Sequence, residues 1–394
     1  MQKDDHNLAA AIFPQAPNLS HLLWGAFGAL EFDFAACDDF ALNEHPAAIE
    51  AEAARALLGF PSVQRVCVVL VDGLGSLQLQ ARRGHVPNLR QLNLESKITT
   101  VVPSTTAAGI SAFGTGMLPG QNAMAGYSLR SPRTGNTFSL IKWDGSGYNA
   151  PQWQSEPTLY ERLSAAQRAQ TAIIQPREYI GSGLSLAAFR GAPAIAAKTL
   201  EARLAAATAQ FQKGCRMAYV YWGELDKVGH KYGWQSDQWI DELENLDREI
   251  GIFLRSLPPQ TLVIFTADHG MVDATEKIDI AQETFLSKGV SQVAGEERAF
   301  QIYTDEPQEL AQRWRERLAD IAWILTKNEL IESGLFGPVK DFTAQVIGDV
   351  IVFSKTGIGF VDSRVHSASA IGLIGVHGSL TAQEMYIPLI WEVC

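Results

Sequence analysis

Three uninterrupted apolar runs constrain this chain more than any other feature: residues 66–71, Met217–Trp222 and Thr261–Thr266. A strand on a half-exposed sheet alternates apolar and polar side chains. These runs do not alternate, so both of their faces must be covered, as in a parallel sheet with helices packed on either side. Each run also gives way to polar residues. Asp72-Gly73 follows the first, Asp226 and His230 come shortly after the second, and Asp268-His269-Gly270 closes the third. Open α/β sheets keep their ligands at the carboxyl edge of the strands, so three strand ends are expected to converge on one rim.

Helical patterns separate the runs. Residues 50–58 are alanine-rich, residues 192–211 read as one long amphipathic helix, and Trp239, Ile240, Leu243, Leu246, Ile250 and Phe253 recur at helical spacing as a core-facing stripe. Alternation of such helices with buried strands gives an α/β class. The pattern changes over residues 277–367, where short strands at 298–303, 321–325 and 345–353 surround a helix at Pro307–Leu318. We read this as a small α+β cap inserted into a catalytic domain made of residues 1–276 and 368–394, with residues 1–60 as a helical and extended lead-in. Asp268-His269 lies before the cap and His377 after it, so the insertion must leave and rejoin the main sheet near the site.

The 394 residues carry a formal net charge of -11, so the global field repels polyanions and no nucleic-acid polymer is expected as a partner. Phosphate, if handled, must be held by local positive charge such as metal ions. Residues 1–7 carry acids where a secretory signal needs bases, the apolar run at 8–13 is too short for a signal core, and no stretch is long enough to span a membrane. Cys37, Cys67, Cys215 and Cys394 are scattered without paired spacing and read as reduced thiols. These features predict a cytoplasmic protein without a membrane partner.

Asp72, Asp226, His230, Asp268, His269 and His377 offer oxygen and imidazole nitrogen without thiolate, a donor set that suits a hydrolytic, zinc-like centre. Asp226 and His230 stand four apart, one helical turn, which suits a shared metal and equally a surface ion pair. Burying Asp268 beside His269 at a strand end is costly unless something pairs with them. The hydroxyl cluster Ser104-Thr105-Thr106 after Pro103 opens a run of small residues, as at a helix start. It can serve as a plain N-cap or present a nucleophile to an anion held by first-turn N–H groups.

In order, Asp72-Gly73, Thr106 at a helix start, Asp226 with His230, Asp268-His269-Gly270 and His377-Gly378 resemble the alkaline phosphatase superfamily, and most closely its type I phosphodiesterase / nucleotide pyrophosphatase family. The resemblance runs from about residue 66 to 390. It implies an alkaline-phosphatase-like three-layer sandwich with a mostly parallel central sheet, and two zinc ions. Asp72, Thr106, Asp268 and His269 would hold one ion, and Asp226, His230 and His377 the other. It also selects Thr106 over Thr105 as the nucleophile that becomes a phosphothreonine.

Tyr127 departs from that pattern, since better-known members carry an asparagine there that binds a phosphoryl oxygen; a phenol can donate to the same oxygen. Thr381 and Glu384 read as an N-cap and its capping-box partner, while Asp362 and His366 could reach the pocket but read more simply as loop surface. The expected activity is zinc-dependent hydrolysis of a small phosphorylated substrate, a phosphodiester or nucleotide pyrophosphate. A phosphomonoesterase, a phosphonate hydrolase, or a catalytically silent binding protein on the same fold are the alternatives. A sulfatase is disfavoured, because no Cys/Ser-x-Pro-x-Arg segment is present.

Overall fold

Valine, isoleucine, leucine and aromatic residues fill both faces of the strands that lead to the candidate site, and not one residue of the segments 66–71, Met217–Trp222 and Thr261–Thr266 is more than marginally exposed. The computed structural model describes residues 14–34, 47–274 and 276–394. In chain order the strands that build the architecture are β1 (Arg65–Val71), β2 (Thr171–Gln175), β3 (Ala194–Ala196), β4 (Met217–Trp222), β5 (Thr261–Thr266), β6 (Gln292–Glu296), β7 (Ala299–Tyr303), β8 (Ala322–Thr326), β9 (Val350–Ser354) and β10 (Ile390–Val393). The helices are α1 (Leu22–Ala29), α2 (Ala47–Leu58), α3 (Thr106–Thr115), α4 (Leu200–Gln212), α5 (Glu224–Tyr232), α6 (Asp237–Ser256) and α7 (Pro307–Leu318).

The central sheet has the order β10-β5-β1-β4-β2-β3 and is parallel except for β10, which runs antiparallel to β5. In register, Val66 lies beside Met217 and Leu262, and Leu70 beside Tyr221 and Thr266, so the three apolar runs end level with one another. Their carboxyl ends therefore deliver Asp72, the α5 segment and Asp268-His269 to one edge. This is the expected mostly parallel α/β architecture.

A second sheet, β6-β7-β9-β8, is antiparallel throughout and folds around its own apolar cluster, in which Phe300, Trp314 and Val352 are fully buried. Proline at its first position opens α7, where the missing N–H costs nothing.

Two element expectations need correction. Residues 192–211 are not one helix: Ala194–Ala196 forms the edge strand β3 beside β2, and the helix starts only at Leu200, where Thr199 caps Ala202 N–H. Alanine-rich sequence carries helical spacing into any short edge strand, which hid the break. Residues 345–353 are not one strand either. Asp341–Val346 is helical, and β9 begins at Val350 after Gly348, whose N–H donates to Gln301 Oε1 at 2.8 Å. Among the described residues no helix is long and apolar enough to cross a membrane. The readings of residues 1–7 and 8–13 and of Cys37 lie outside the described residues.

Candidate active site

Asp72 leaves β1 into a turn in which Gly73 has φ +73, a conformation that suits glycine. A Cβ there would also lie 2.9 Å from Asp226 Oδ1, so the turn needs glycine for space as well. Gly73 N–H donates to Asp268 Oδ1 at 3.3 Å, as does His269 N–H at 3.1 Å, which fixes one oxygen of that carboxylate and leaves Oδ2 buried without a hydrogen bond. Asp226 Oδ1 is likewise buried and unbonded. The Tyr221 hydroxyl at the end of β4 donates to Asp72 Oδ2.

The three imidazoles share one design. His230 Nδ1 lies 2.7 Å from Gly375 O, His269 Nδ1 3.0 Å from Gly270 O, and His377 Nδ1 3.0 Å from Ser104 O. A carbonyl only accepts, so each Nδ1 carries the proton and each Nε2 is turned towards the carboxylates. That is the outer-shell arrangement that orients metal-ligating histidines. His230 Nε2 is 3.2 Å from Asp226 Oδ2, and His269 Nε2 is 3.2 Å from Asp72 Oδ1 and 3.7 Å from Asp268 Oδ2. The His269 and His377 rings stack at 3.6 Å. Ligand atoms of Asp72, Asp268 and His269 lie within 4.8 Å of one another, and so do those of Asp226, His269 and His377. His269 thus belongs to both tight groups, and His230 joins through Asp226.

Thr106 is the first residue of α3, preceded by an extended Thr105 whose side chain caps nothing and whose Oγ1 is buried without a partner. Thr106 Oγ1 lies 3.1 Å from His269 Nε2. The plain N-cap reading of this cluster therefore fails, while Thr106 sits where the first-turn N–H groups and the metal-ligand candidates meet.

Electrostatics reflects three carboxylates packed among three imidazoles. Burial opposes charge on Asp72, but His269 and then Tyr221 hold it below its ordinary value. Burial and the facing Asp72 push Asp268 well above it. Burial disfavours a charged His269, yet Asp268 and Asp72 overcome this and raise it to about 10; Asp226 likewise raises His230 to about 9 against its own burial. Burial and the His269 charge push His377 well down. Unbonded carboxylate oxygens facing oriented Nε2 atoms make a donor set that fits divalent metal.

Two cavities border the site, the first beside Thr106 and the second beside Thr105. One, of about 100 Å³, is lined by Thr106 itself with Ile110, Tyr179, Leu184, Phe189 and Tyr221. The other, of about 330 Å³, runs past His230 and His377 between Tyr127, His366 and the pair Glu296, the last residue of β6, and Glu297. Tyr127 is there as expected, with its N–H donating to Glu296 Oε2 at 2.7 Å. Glu296 and Glu297 escaped sequence reading, because Glu-Glu-Arg after a short strand has the composition of a solvent turn. Burial lifts Glu296 to about 8 against the pull of that Tyr127 N–H.

Other expectations are corrected. His366 lines the larger cavity, and Asp362 is buried against Arg364 at 2.6 Å rather than lying on the surface. Glu384 forms no capping box. It accepts from Arg298 Nε at 2.6 Å and Nη2 at 2.8 Å, from Ser379 N–H at 3.0 Å and from Thr381 Oγ1 at 2.5 Å, with both members of the ion pair fully buried.

A sequence profile of the family described as type I phosphodiesterase / nucleotide pyrophosphatase matches residues 66–380. A segment of 63 residues is 36% identical to ectonucleotide pyrophosphatase/phosphodiesterase family member 7 of Mus musculus; it covers 15% of this chain and 14% of that protein, and the Rattus norvegicus protein matches equally. Among solved structures, murine ectonucleotide pyrophosphatase / phosphodiesterase 5 superposes with a TM-score of 0.65 at 18% identity, covering 84% of this chain and 88% of that one. Phosphonoacetate hydrolase from Sinorhizobium meliloti 1021, in complex with phosphonoformate, gives 0.64 at 18% identity, covering 84% and 90%. At such identity the likeness is one of fold.

Proposed function

Since this chain belongs to the type I phosphodiesterase / nucleotide pyrophosphatase family of the alkaline phosphatase superfamily, we propose that it is a metal-dependent phosphoester hydrolase that acts on small phosphodiesters or nucleotide pyrophosphates through Thr106. The observation that carries this reading is the set of three imidazoles, each tied through Nδ1 to a backbone carbonyl, with Nε2 facing buried carboxylates next to Thr106 Oγ1.

Asp72, Thr106, Asp268 and His269 would hold one zinc ion, and Asp226, His230 and His377 a second. Bound there, such ions would acidify the threonine hydroxyl and stabilise negative charge on the departing oxygen. Thr106 attacks phosphorus in line: the P–Oγ1 bond forms while the bond to the leaving oxygen breaks on the opposite side. Water then cleaves the phosphothreonine and restores Thr106. N–H groups of the first turn of α3 and the Tyr127 hydroxyl bind the non-bridging oxygens.

Diesters fit better than monoesters. Neither cavity has a lysine or arginine among its described lining residues, so the extra charge of a monoester would find no additional cation. The free thiols of Cys67, Cys215 and Cys394 suit a cytoplasmic location.

Metal analysis and an activity screen test the reading together. Protein purified without chelator should contain zinc in excess of one equivalent, and should hydrolyse aryl phosphodiesters with higher kcat/KM than the corresponding monoesters, phosphonates or sulfates. Zinc-loaded protein without activity on any of these esters would return the chain to the silent-binding alternative, and a monoester preference would overturn the diester assignment.

A further inference from the structure

The larger cavity beside the site has a chemistry that the hydrolase reading does not use. In-line attack by Thr106 sends the leaving oxygen away from Oγ1. Of the two cavities, the smaller is lined by Thr106, whereas the larger is lined by Thr105, His230 and His377, the last two being residues that would hold the second metal. That metal would stabilise the departing oxygen, so the departing group takes the larger cavity.

Its walls are specific. Glu296 and Glu297 form one side, while Ala370, Leu373 and Val376 form an apolar stretch. Glu297 is neutralised by Lys277 Nζ at 2.8 Å. Glu296 is not paired with a base: Oε2 accepts only the Tyr127 N–H, and Oε1 is buried without any hydrogen bond. The carboxylate is also held in place, since a Cβ on Gly378 would come within 2.5 Å of Glu296 Cγ, and Arg298, two residues on, is locked to Glu384. A buried carboxylate oxygen without a donor lacks the partner that its desolvation demands. An ammonium group supplies the missing partner and favours the ionised carboxylate, while an anionic group gains no such stabilisation and finds no lysine or arginine among the described lining residues.

Resting on the phosphodiesterase reading, we propose that this cleft receives the leaving group and selects substrates whose leaving alcohol carries a cationic, amine-type group over those whose leaving group is anionic, phosphate chains included. The apolar wall suits the alkyl substituents of such an ammonium, and Glu296 provides the charge.

The test uses zinc-loaded full-length enzyme and three methyl aryl phosphodiesters whose phenols carry a para trimethylammoniomethyl, neopentyl or carboxymethyl group. Each rate is divided by that of the same ester in alkaline solution, which removes the differences in phenol basicity that the three substituents cause. We expect kcat/KM to fall in the order cationic, neutral, anionic, with roughly tenfold between the extremes, the scale of one partly screened charge contact. That ratio should shrink as salt is raised, and Glu296→Gln, which can still accept the Tyr127 N–H, should bring it close to one. Equal or inverted rates in the wild-type enzyme would overturn the charge selection alone, as would a ratio that neither salt nor Glu296→Gln changes. Absence of turnover for all three esters would remove the phosphodiesterase reading and this inference with it.

Discussion

Each histidine of the site gives one nitrogen to a backbone carbonyl, and Thr106 Oγ1 lies 3.1 Å from Nε2 of His269. Thr106→Ala should abolish turnover while zinc content and thermal midpoint stay near wild type, because the hydroxyl is one ligand candidate among several but the sole proposed nucleophile. Thr105→Ala should be mild by comparison; kinetics and metal analysis of both variants decide, and exchanged phenotypes would move the nucleophile to Thr105. Tyr127→Phe keeps the backbone bond to Glu296 and removes only the hydroxyl. It should lower diesterase kcat/KM by roughly ten- to a hundredfold, the scale of one transition-state hydrogen bond, and an unchanged rate would show that the ring merely packs. The residues legible in the sequence were those whose neighbours announce them: Asp72 and Asp268 end buried strands, and Asp226 and His230 sit one helical turn apart. Glu296 and Tyr221 had no such signal, since their partners Tyr127 and Asp72 lie far along the chain.

Among the elements, strand ends and a helix start were readable because apolar runs and small-residue clusters are local properties. The joints between elements were not. Glu384 has the spacing of a capping partner to Thr381, yet its carboxylate is committed to Arg298, 86 residues away, and through it to the carbonyls of Thr356 and Ile358. This fully buried pair ties the turn carrying Glu296 and Glu297 to the segment that follows His377. Arg298→Met should therefore destabilise the protein by about 3–5 kcal/mol in urea unfolding, since it leaves Glu384 buried without its counter-charge. Combining it with Glu384→Leu should recover much of that loss. A double variant as unstable as the two single losses added together would show that the pair acts independently of its charge.

At the scale of the whole molecule, protons and the proposed metal would compete for the same cluster. The folded-state values of His269, about 10, and His230, about 9, lie above that of a free imidazole. Without metal these protonated rings contribute stability that is complete below about pH 6.5 and is lost as pH rises through 9 to 10. Zinc needs the neutral rings, so its apparent affinity should increase with pH, and adding zinc to chelator-stripped protein in weak buffer should release protons as the thermal midpoint rises. Binding that is indifferent to pH would contradict this. The sheet order carries another consequence. Strand β1 pairs with β5 nearly two hundred residues later, β5 with β10 later still, and the site draws on Asp72 and His377 from opposite ends of that span. A ribosome that has made β1, α3 and even β5 has made no working centre. On the proposed reading, the half-finished protein could neither bind its full metal set nor cleave an ester, so synthesis itself would keep it silent until the segment bearing His377 has emerged and folded back onto strands made long before.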